Sequence, residues 1–300
     1  MTGIERVGVV GCGLMGAGIA EVCARAGLPV TVVERDAQAA RSGRLRITRS
    51  LDRATAHGRL TVRRREAAAA LITVTDQLEA LHDRDLVIEA VAEDERLKAD
   101  VFARLDSLLT DDRALLATNT SAVPVIRLAA ATGRPEQVVG VHFFNPVPVL
   151  RLVELVPSLL TSADTLTRAE TFVTGRLGKE AVHARDRAGF VVNALLVPYL
   201  LAAVRMVEAG GASAEDIDRA MVLGCAHPLG PLALADLIGL DTTRAIAESL
   251  YAEFREPLYA PPPLLSRMVE AGLLGRKSGR GFHAYPAGAR NGTAVPARRP

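Results

Sequence analysis

Val7-Gly8-Val9-Val10-Gly11-Cys12-Gly13-Leu14-Met15-Gly16 is an apolar strand that runs straight into a Gly-x-Gly-x-x-Gly turn. Eighteen residues past Gly16 a second apolar run, Val30-Thr31-Val32-Val33, ends in an acid, Glu34. A strand before, a helix after and an acid at this distance read as a complete dinucleotide site; the competing reading is a structural turn with no ligand. Gly11 permits the tight turn, Gly13 lets the backbone approach a pyrophosphate, and Gly16 lets the following helix sit close to the sheet. The helix N-terminus presents unpaired N–H groups and a positive dipole end to the phosphates. Glu34 is placed to hydrogen-bond the adenosine ribose hydroxyls. A carboxylate there repels a 2′-phosphate, so NAD is preferred over NADP, with the adjacent Arg35 able to soften that preference.

Outward from this unit the alternation continues. Residues 37–58 read as a long helix, with Arg46, Arg49 and Arg53 spaced 3 and 4 apart on one face, and a further helical patch runs to about Leu71. Short apolar strands recur at 71–74, 86–91, 114–117, 138–141 and 150–156. An amphipathic helix carries Leu97, Val101, Phe102, Leu105 and Leu109 at helical spacing, and another is expected around 162–177. Such alternation predicts an α/β fold with a Rossmann-like, doubly wound, mostly parallel sheet. After Arg185-Asp186-Arg187-Ala188-Gly189 the pattern turns helical, and Ser213-Ala214-Glu215-Asp216 looks like an N-cap with early acids. The expected organisation is an NAD-binding domain over 1–186, an all-helical C-terminal domain over 187–285 and a flexible tail over 286–300.

Bulk properties narrow the function classes. With 300 residues, 49% of them hydrophobic, the chain can bury a sizeable core, and a net charge of +2 makes no case for nucleic acid or membrane attraction. Cys12, Cys23 and Cys225 show no metal-ligand spacing and read as reduced small hydrophobes, so no metal is expected. The first ten residues lack the layout of a signal peptide, and the apolar stretch 191–204 is too short to span a bilayer and is broken by Asn193 and Pro198. A cytoplasmic globular protein is expected.

Four polar residues stand where an apolar core would not want them. Ser121 follows a strand in Ala117-Thr118-Asn119-Thr120-Ser121, at the carboxyl end where such sheets bind ligands. His142 ends the next strand in Gly140-Val141-His142-Phe143-Phe144-Asn145-Pro146, Glu154 lies inside Leu152-Val153-Glu154-Leu155-Val156, and Asn193 inside Val191-Val192-Asn193-Ala194-Leu195. A carboxylate flanked by aliphatics on a buried strand costs several kcal/mol unless it finds a partner. His142 is the natural one: a carboxylate on one imidazole nitrogen fixes the tautomer and leaves the other nitrogen to move a proton. Hydride transfer to NAD needs such a base for the hydroxyl proton, with Ser121 and Asn193 to hold the oxygen. On spacing alone, a buried structural His–Glu pair is an equal alternative.

The chain resembles the L-3-hydroxyacyl-CoA dehydrogenase family from about Val7 to Tyr285. Besides the glycine turn, the likeness is carried by Val87-Ile88-Glu89-Ala90-Val91, Asn119-Thr120-Ser121, His142-Phe143-Phe144-Asn145-Pro146-Val147-Pro148, Gly189-Phe190-Val191-Val192-Asn193, His227-Pro228-Leu229-Gly230-Pro231 and Gly275-Arg276-Lys277-Ser278-Gly279-Arg280-Gly281-Phe282. The resemblance implies His142 as the acid/base, Glu154 as its orienting partner, and Ser121 and Asn193 as ligands of the substrate oxygen. It implies NAD contacts from Glu34, Glu93, Lys98, Ser121 and Asn145, and a helical domain that closes over the site and supplies homodimer contacts; Gly11, Gly13, Leu14, Met15, Gly16, Arg35, Ala90 and Lys277 complete the candidate cofactor set, with Met15 alternatively a packing residue of the first helix turn. The bland alternatives are an exposed helix charge for Lys98, a structural loop residue for His227, and surface positions for His57, His82 and His183.

One departure bears on the substrate. The family places lysines near the end of the helix after the second strand, where they meet the CoA nucleotide; here His57 stands where a Lys is expected, while Ser50 and Arg53 remain. The Arg face of this helix could serve CoA phosphates, or an acyl-carrier protein bearing the same arm, or be a solvated face. The expected reaction joins a short-chain 3-hydroxyacyl-CoA and its 3-oxo form. Its rivals are the same chemistry on a carrier-bound or free hydroxy acid, and a non-enzymatic NAD-binding protein.

Overall fold

A computed structural model describes residues 3–286. Thus 287–300, nearly all of the expected tail, lie outside the described residues. The chain divides into two compact units, Met1–Phe190 and Val191–Pro300. Arg187–Phe190 stay with the first unit for a local reason. The Asp186 carboxylate accepts the N–H groups of Val125 and Ile126, both at 2.8 Å, and the Phe190 ring packs on His142.

In the first unit β1 (Val7–Val10), β2 (Val30–Val33), β3 (Ile72–Thr75), β4 (Leu86–Glu89), β5 (Leu115–Thr118), β6 (Val138–Phe143), β7 (Leu152–Pro157) and β8 (Glu180–His183) form one sheet in the order β3-β2-β1-β4-β5-β6-β7-β8. Every pairing is parallel except β6 with β7. β1, β2, β4, β5 and β6 are buried along their whole length, which is why they read as unbroken apolar runs rather than alternating ones. The chain leaves β1 toward β2 and β3, then returns to place β4 on the other side. A crevice for ligand therefore opens at the carboxyl ends of β1 and β4.

The helices are α1 (Leu14–Arg25), α2 (Ala37–Ala56), α3 (Val62–Ala70), α4 (Glu95–Leu108), α5 (Val125–Ala129) and α6 (Ala163–Thr171). Asp36, Thr61, Asp94 and Ser162 cap α2, α3, α4 and α6 through their side chains. At α1 the cap is Gly13, whose missing side chain leaves the first N–H groups open to a ligand.

The sequence reading carried the helix after β7 through to 177 and had no β8. The helix instead ends at Thr171, loosens into one wider turn over Phe172–Arg176, and β8 follows. Glu180-Ala181-Val182-His183 lies at the sheet edge with Val182 and both end residues exposed. It has no apolar signature, and pairing with β7 is what makes it a strand.

The second unit is helical: α7 (Val192–Glu208), α8 (Ala214–Gly224), α9 (Pro231–Ile238), α10 (Leu240–Phe254) and α11 (Pro263–Glu270). Ser213 caps α8 by accepting the Asp216 N–H, as its sequence suggested. Two buried acids fasten the unit. Asp218 takes the N–H groups of Leu232 and Ala233 at the start of α9 and meets His283 at 2.7 Å, while Asp236 accepts from Phe282 N–H, His283 N–H and the Tyr285 hydroxyl. No described helix is long and apolar enough to cross a membrane.

Candidate active site

Register brings the proton-handling pair together. In the antiparallel β6–β7 ladder His142 stands directly opposite Glu154, so both side chains leave the same face. His142 Nδ1 lies 2.7 Å from Glu154 Oε2, with the imidazole 4% exposed and the carboxylate fully buried. A buried carboxylate accepts only, so Nδ1 carries the proton and the Nε2 lone pair is the one available for chemistry. Nε2 sits 3.3 Å from Ser121 Oγ. Phe144 and Phe190 meet the imidazole edge-on, with centroids at 4.6 and 5.4 Å. Phe190 adopts φ 49°, a left-handed conformation costly for a non-glycine residue, with its N–H donated to the Arg187 carbonyl at 3.0 Å and its ring packed on His142.

The loop that presents Ser121 is clamped. Glu93 Oε1 accepts from the Ser121 N–H at 2.8 Å, the Ala122 N–H at 2.9 Å and the Thr120 hydroxyl at 2.5 Å. Asn119 Oδ1 accepts the Phe143 N–H at 2.8 Å, tying the same loop to the end of β6. Burial alone would raise the Glu93 carboxyl, but the Lys98 charge and these hydrogen bonds outweigh it and hold the group below its ordinary value. Lys98 is not an exposed helix charge: it is 1% exposed, and Nζ meets Glu89 at 2.8 and 3.0 Å and Glu93 at 3.1 Å.

The glycine turn behaves as its sequence suggested. Gly11 adopts φ 91°, and a Cβ there would lie 2.7 Å from the Ala90 carbonyl oxygen. A Cβ on Gly16 would fall 1.9 Å from the Gly11 oxygen, so α1 can approach the turn only with glycine in place. A Cβ on Gly13 would meet nothing within 4 Å, which leaves open space beside the uncapped helix end. Gly11, Gly13, Leu14, Met15, Glu34, Arg35 and Ala90 all line one cavity of about 570 Å³. Glu34 is pinned at its rim, Oε1 accepting the Cys12 N–H at 2.7 Å and Oε2 the Arg35 N–H at 3.2 Å. Arg35 itself is turned to Asp36 at 3.1 Å. This donor set and cradle fit NAD.

Other positions fall elsewhere. Gly16, Glu93, Lys98, Ser121 and Asn145 do not line that cavity; Asn145 is exposed just beyond β6. Asn193, half-buried, is in the first turn of α7, and Lys277 is paired with Asp241 at 2.6 Å; both belong to the second unit. On the Arg face of α2, Arg46, Arg49 and Arg53 are all exposed, Arg46 donates to the Cys12 carbonyl, and Ser50 is half-buried. Burial and the Glu34 charge push the Cys12 thiol up to about 12, and burial does the same to Cys23; Cys225, read as a reduced small hydrophobe, is exposed. His227 meets the Tyr199 hydroxyl at 3.1 Å, and His57, His82 and His183 are exposed, as the bland readings had it. No cluster of metal-ligating side chains occurs among the described residues.

Glu89, Asn119 and Phe190 were given no role of their own from the sequence, although each falls in a stretch that carries the family resemblance. Glu89 carried a further usable signal, a carboxylate closing the apolar run Leu86-Val87-Ile88.

Two family descriptions match the chain in succession: 3-hydroxyacyl-CoA dehydrogenase, NAD binding domain, over 6–187, and 3-hydroxyacyl-CoA dehydrogenase, C-terminal domain, over 189–285. The chain belongs to the 3-hydroxyacyl-CoA dehydrogenase family. As a member of that family it is an NAD-dependent oxidoreductase. It is 58% identical over 282 residues to a 3-hydroxybutyryl-CoA dehydrogenase of Mycobacterium tuberculosis, covering 94% of this chain and 99% of that one. The crystal structure of FadB2 from M. tuberculosis superposes with a TM-score of 0.94 at 57% identity, covering 95% of this chain and 100% of the other. That of (S)-3-hydroxybutyryl-CoA dehydrogenase PaaH1 from Ralstonia eutropha gives 0.88 at 43% identity, covering 94% and 99%.

Proposed function

We infer that the protein interconverts a short-chain (S)-3-hydroxyacyl-CoA, such as 3-hydroxybutyryl-CoA, and the 3-oxoacyl-CoA. The observation that carries this reading is His142, locked to a buried carboxylate through Nδ1 with Nε2 free beside Ser121. Bound NAD supplies the hydride acceptor in oxidation and, as NADH, the donor in reduction. In oxidation His142 Nε2 takes the 3-hydroxyl proton as the carbinol C–H bond breaks, and the C–O bond becomes a carbonyl. Glu154 stabilises the imidazolium that forms, and Ser121 Oγ holds the substrate oxygen. Phe144 and Phe190 keep the imidazole in a dry, fixed orientation. Asn193 as second oxygen ligand, Asn145 and Lys277 as cofactor contacts, and Ser50 and Arg53 as CoA contacts rest on the family resemblance. So do a homodimer and a cytoplasmic location.

The test follows NADH, and separately NADPH, with acetoacetyl-CoA for the wild type and His142→Ala. NADH oxidation that the substitution lowers by about a thousandfold or more supports the reading, a size typical of losing a general acid/base. A protein that binds NADH but turns over only carrier-bound or free hydroxy acids overturns the CoA assignment.

A further inference from the structure

β4 ends in a charge that the proposed chemistry does not use. Glu89 is fully buried, and its carboxylate accepts four hydrogen bonds from three donor groups on three segments. Oε1 accepts the Val91 N–H at 2.7 Å and Lys98 Nζ at 2.8 Å; Oε2 accepts Lys98 Nζ at 3.0 Å and the Thr118 hydroxyl at 2.8 Å. Val91 lines the cofactor cavity with Ala90 and Ala92. Thr118 closes β5, and its Oγ1 accepts the Thr120 N–H at 3.1 Å. Lys98 continues to Glu93, whose other oxygen holds the Thr120 hydroxyl and the Ser121 and Ala122 N–H groups. One buried carboxylate therefore joins the loop after β4, which walls the cofactor cavity, to the loop after β5, which presents Ser121 to His142.

A purely structural role does not need such a charge. Replacing a buried ion pair by well-packed apolar groups is often neutral or stabilising. What the ions provide is geometry: Lys98 is centred between two carboxylates, so Glu93 Oε1 is left to the Ser121 loop. We propose that Glu89 is a positioning residue for the dehydrogenase reaction, setting Ser121 against His142 through Lys98 and Glu93. The proposal rests on the roles of His142 and Ser121 inferred above.

The test is a double-substitution cycle on the full chain, with kcat and KM for NADH and acetoacetyl-CoA measured for wild type, Glu89→Gln, Ser121→Ala and the pair. Glutamine keeps the shape and loses the charge. Glu89→Gln is expected to lower kcat by about tenfold to a hundredfold at saturating NADH, as for loss of one member of a buried hydrogen-bonded charge pair. In the Ser121→Ala background the same change should cost about twofold or less, because the geometry it served is already gone. Lys98→Met should behave like Glu89→Gln, and combining them should add little. Equal effects in both backgrounds overturn the proposal, as does a Glu89→Gln enzyme whose kcat is intact while only its melting temperature or KM for NADH moves. If Glu89→Gln does not fold, Lys98→Met, which cuts the link from Glu89 to Glu93 and leaves Thr118 on Thr120, goes through the same cycle with the same readings. Wild-type turnover is the separate control: its absence overturns the functional reading, and its presence with an additive cycle overturns this proposal alone.

Discussion

Glu154 and Glu89 pose the same problem to the chain, a carboxylate at or within a buried strand, and solve it differently. Glu154 accepts from the imidazole of His142, whose second nitrogen faces Ser121; Glu89 accepts from the Lys98 ammonium, which bridges both of its oxygens. That difference separates a group that assists proton movement from one that fixes geometry. Replacing Glu154 by Gln keeps an oxygen for the Nδ1 proton but withdraws the charge that steadies the imidazolium. We expect kcat to fall on the order of a hundredfold or more, consistent with 2–5 kcal/mol for neutralising one side of a buried charged pair, while NADH affinity is unchanged. A kcat within threefold of wild type, measured at saturating substrates, would remove Glu154 from the mechanism. The pair was legible in the sequence because both members sit in apolar runs twelve residues apart. Glu89 met the same criterion, but its partner Lys98 lies among the polar residues of an amphipathic helix, where the sequence offered a cofactor contact or an exposed charge and not a buried ion pair. Burial of a lysine is decided by what packs over it, which no local pattern records.

Elements were legible where apolar residues recur along them and obscure where one neighbour decides. β1 to β7 announced themselves as apolar runs; β8 exists because β7 offers it an unpaired edge. The glycine turn is the opposite case, a local motif whose parts can be tested separately. Gly13 has φ −64°, open to any residue, and empty space where a methyl would point, so Gly13→Ala should fold normally. Its methyl would occupy room the pyrophosphate needs, and NADH affinity should drop by about tenfold or more. At Gly16 the Cβ would sit 1.9 Å from the Gly11 oxygen, so alanine must push α1 off the turn. Overpacking of this kind costs about 1–3 kcal/mol. Gly16→Ala should therefore lower the melting temperature by roughly 2–4 °C per kcal/mol lost. Thermal melts beside NADH titrations tell the two apart; an unaltered melt for Gly16→Ala or unaltered NADH affinity for Gly13→Ala would break the assignment of roles.

At the scale of the molecule, charge is divided unevenly between the two units. The carboxyls held below their ordinary values are all in the first: Asp36 by the Ala39 N–H and Arg35, and Asp83, Asp85 and Glu93 by arginine or lysine partners that outweigh their burial. In the second unit burial pushes Asp236 up despite its three donors. The signs are opposite. A depressed carboxyl contributes stability that is complete above its unfolded value, 4.5 for Glu93 and 3.8 for the aspartates, and is lost as pH falls through the folded value. A raised carboxyl takes its proton in the folded state first, so acidification toward 3.8 favours the fold around Asp236. Acid should therefore open the first unit before the second. The chain carries its own reporters: Tyr199, Tyr251, Tyr259 and Tyr285 are its only tyrosines and all lie in the second unit, while the buried thiols Cys12 and Cys23 lie in the first. Exposed Cys225 should react with dithiodipyridine at once at neutral pH. The two buried thiols should become reactive as pH drops below 4.5, while tyrosine fluorescence still holds its native value. Tyrosine signal lost first, or at the same pH as the thiols open, would show that these carboxyls do not set the order and that the two units yield to acid as one.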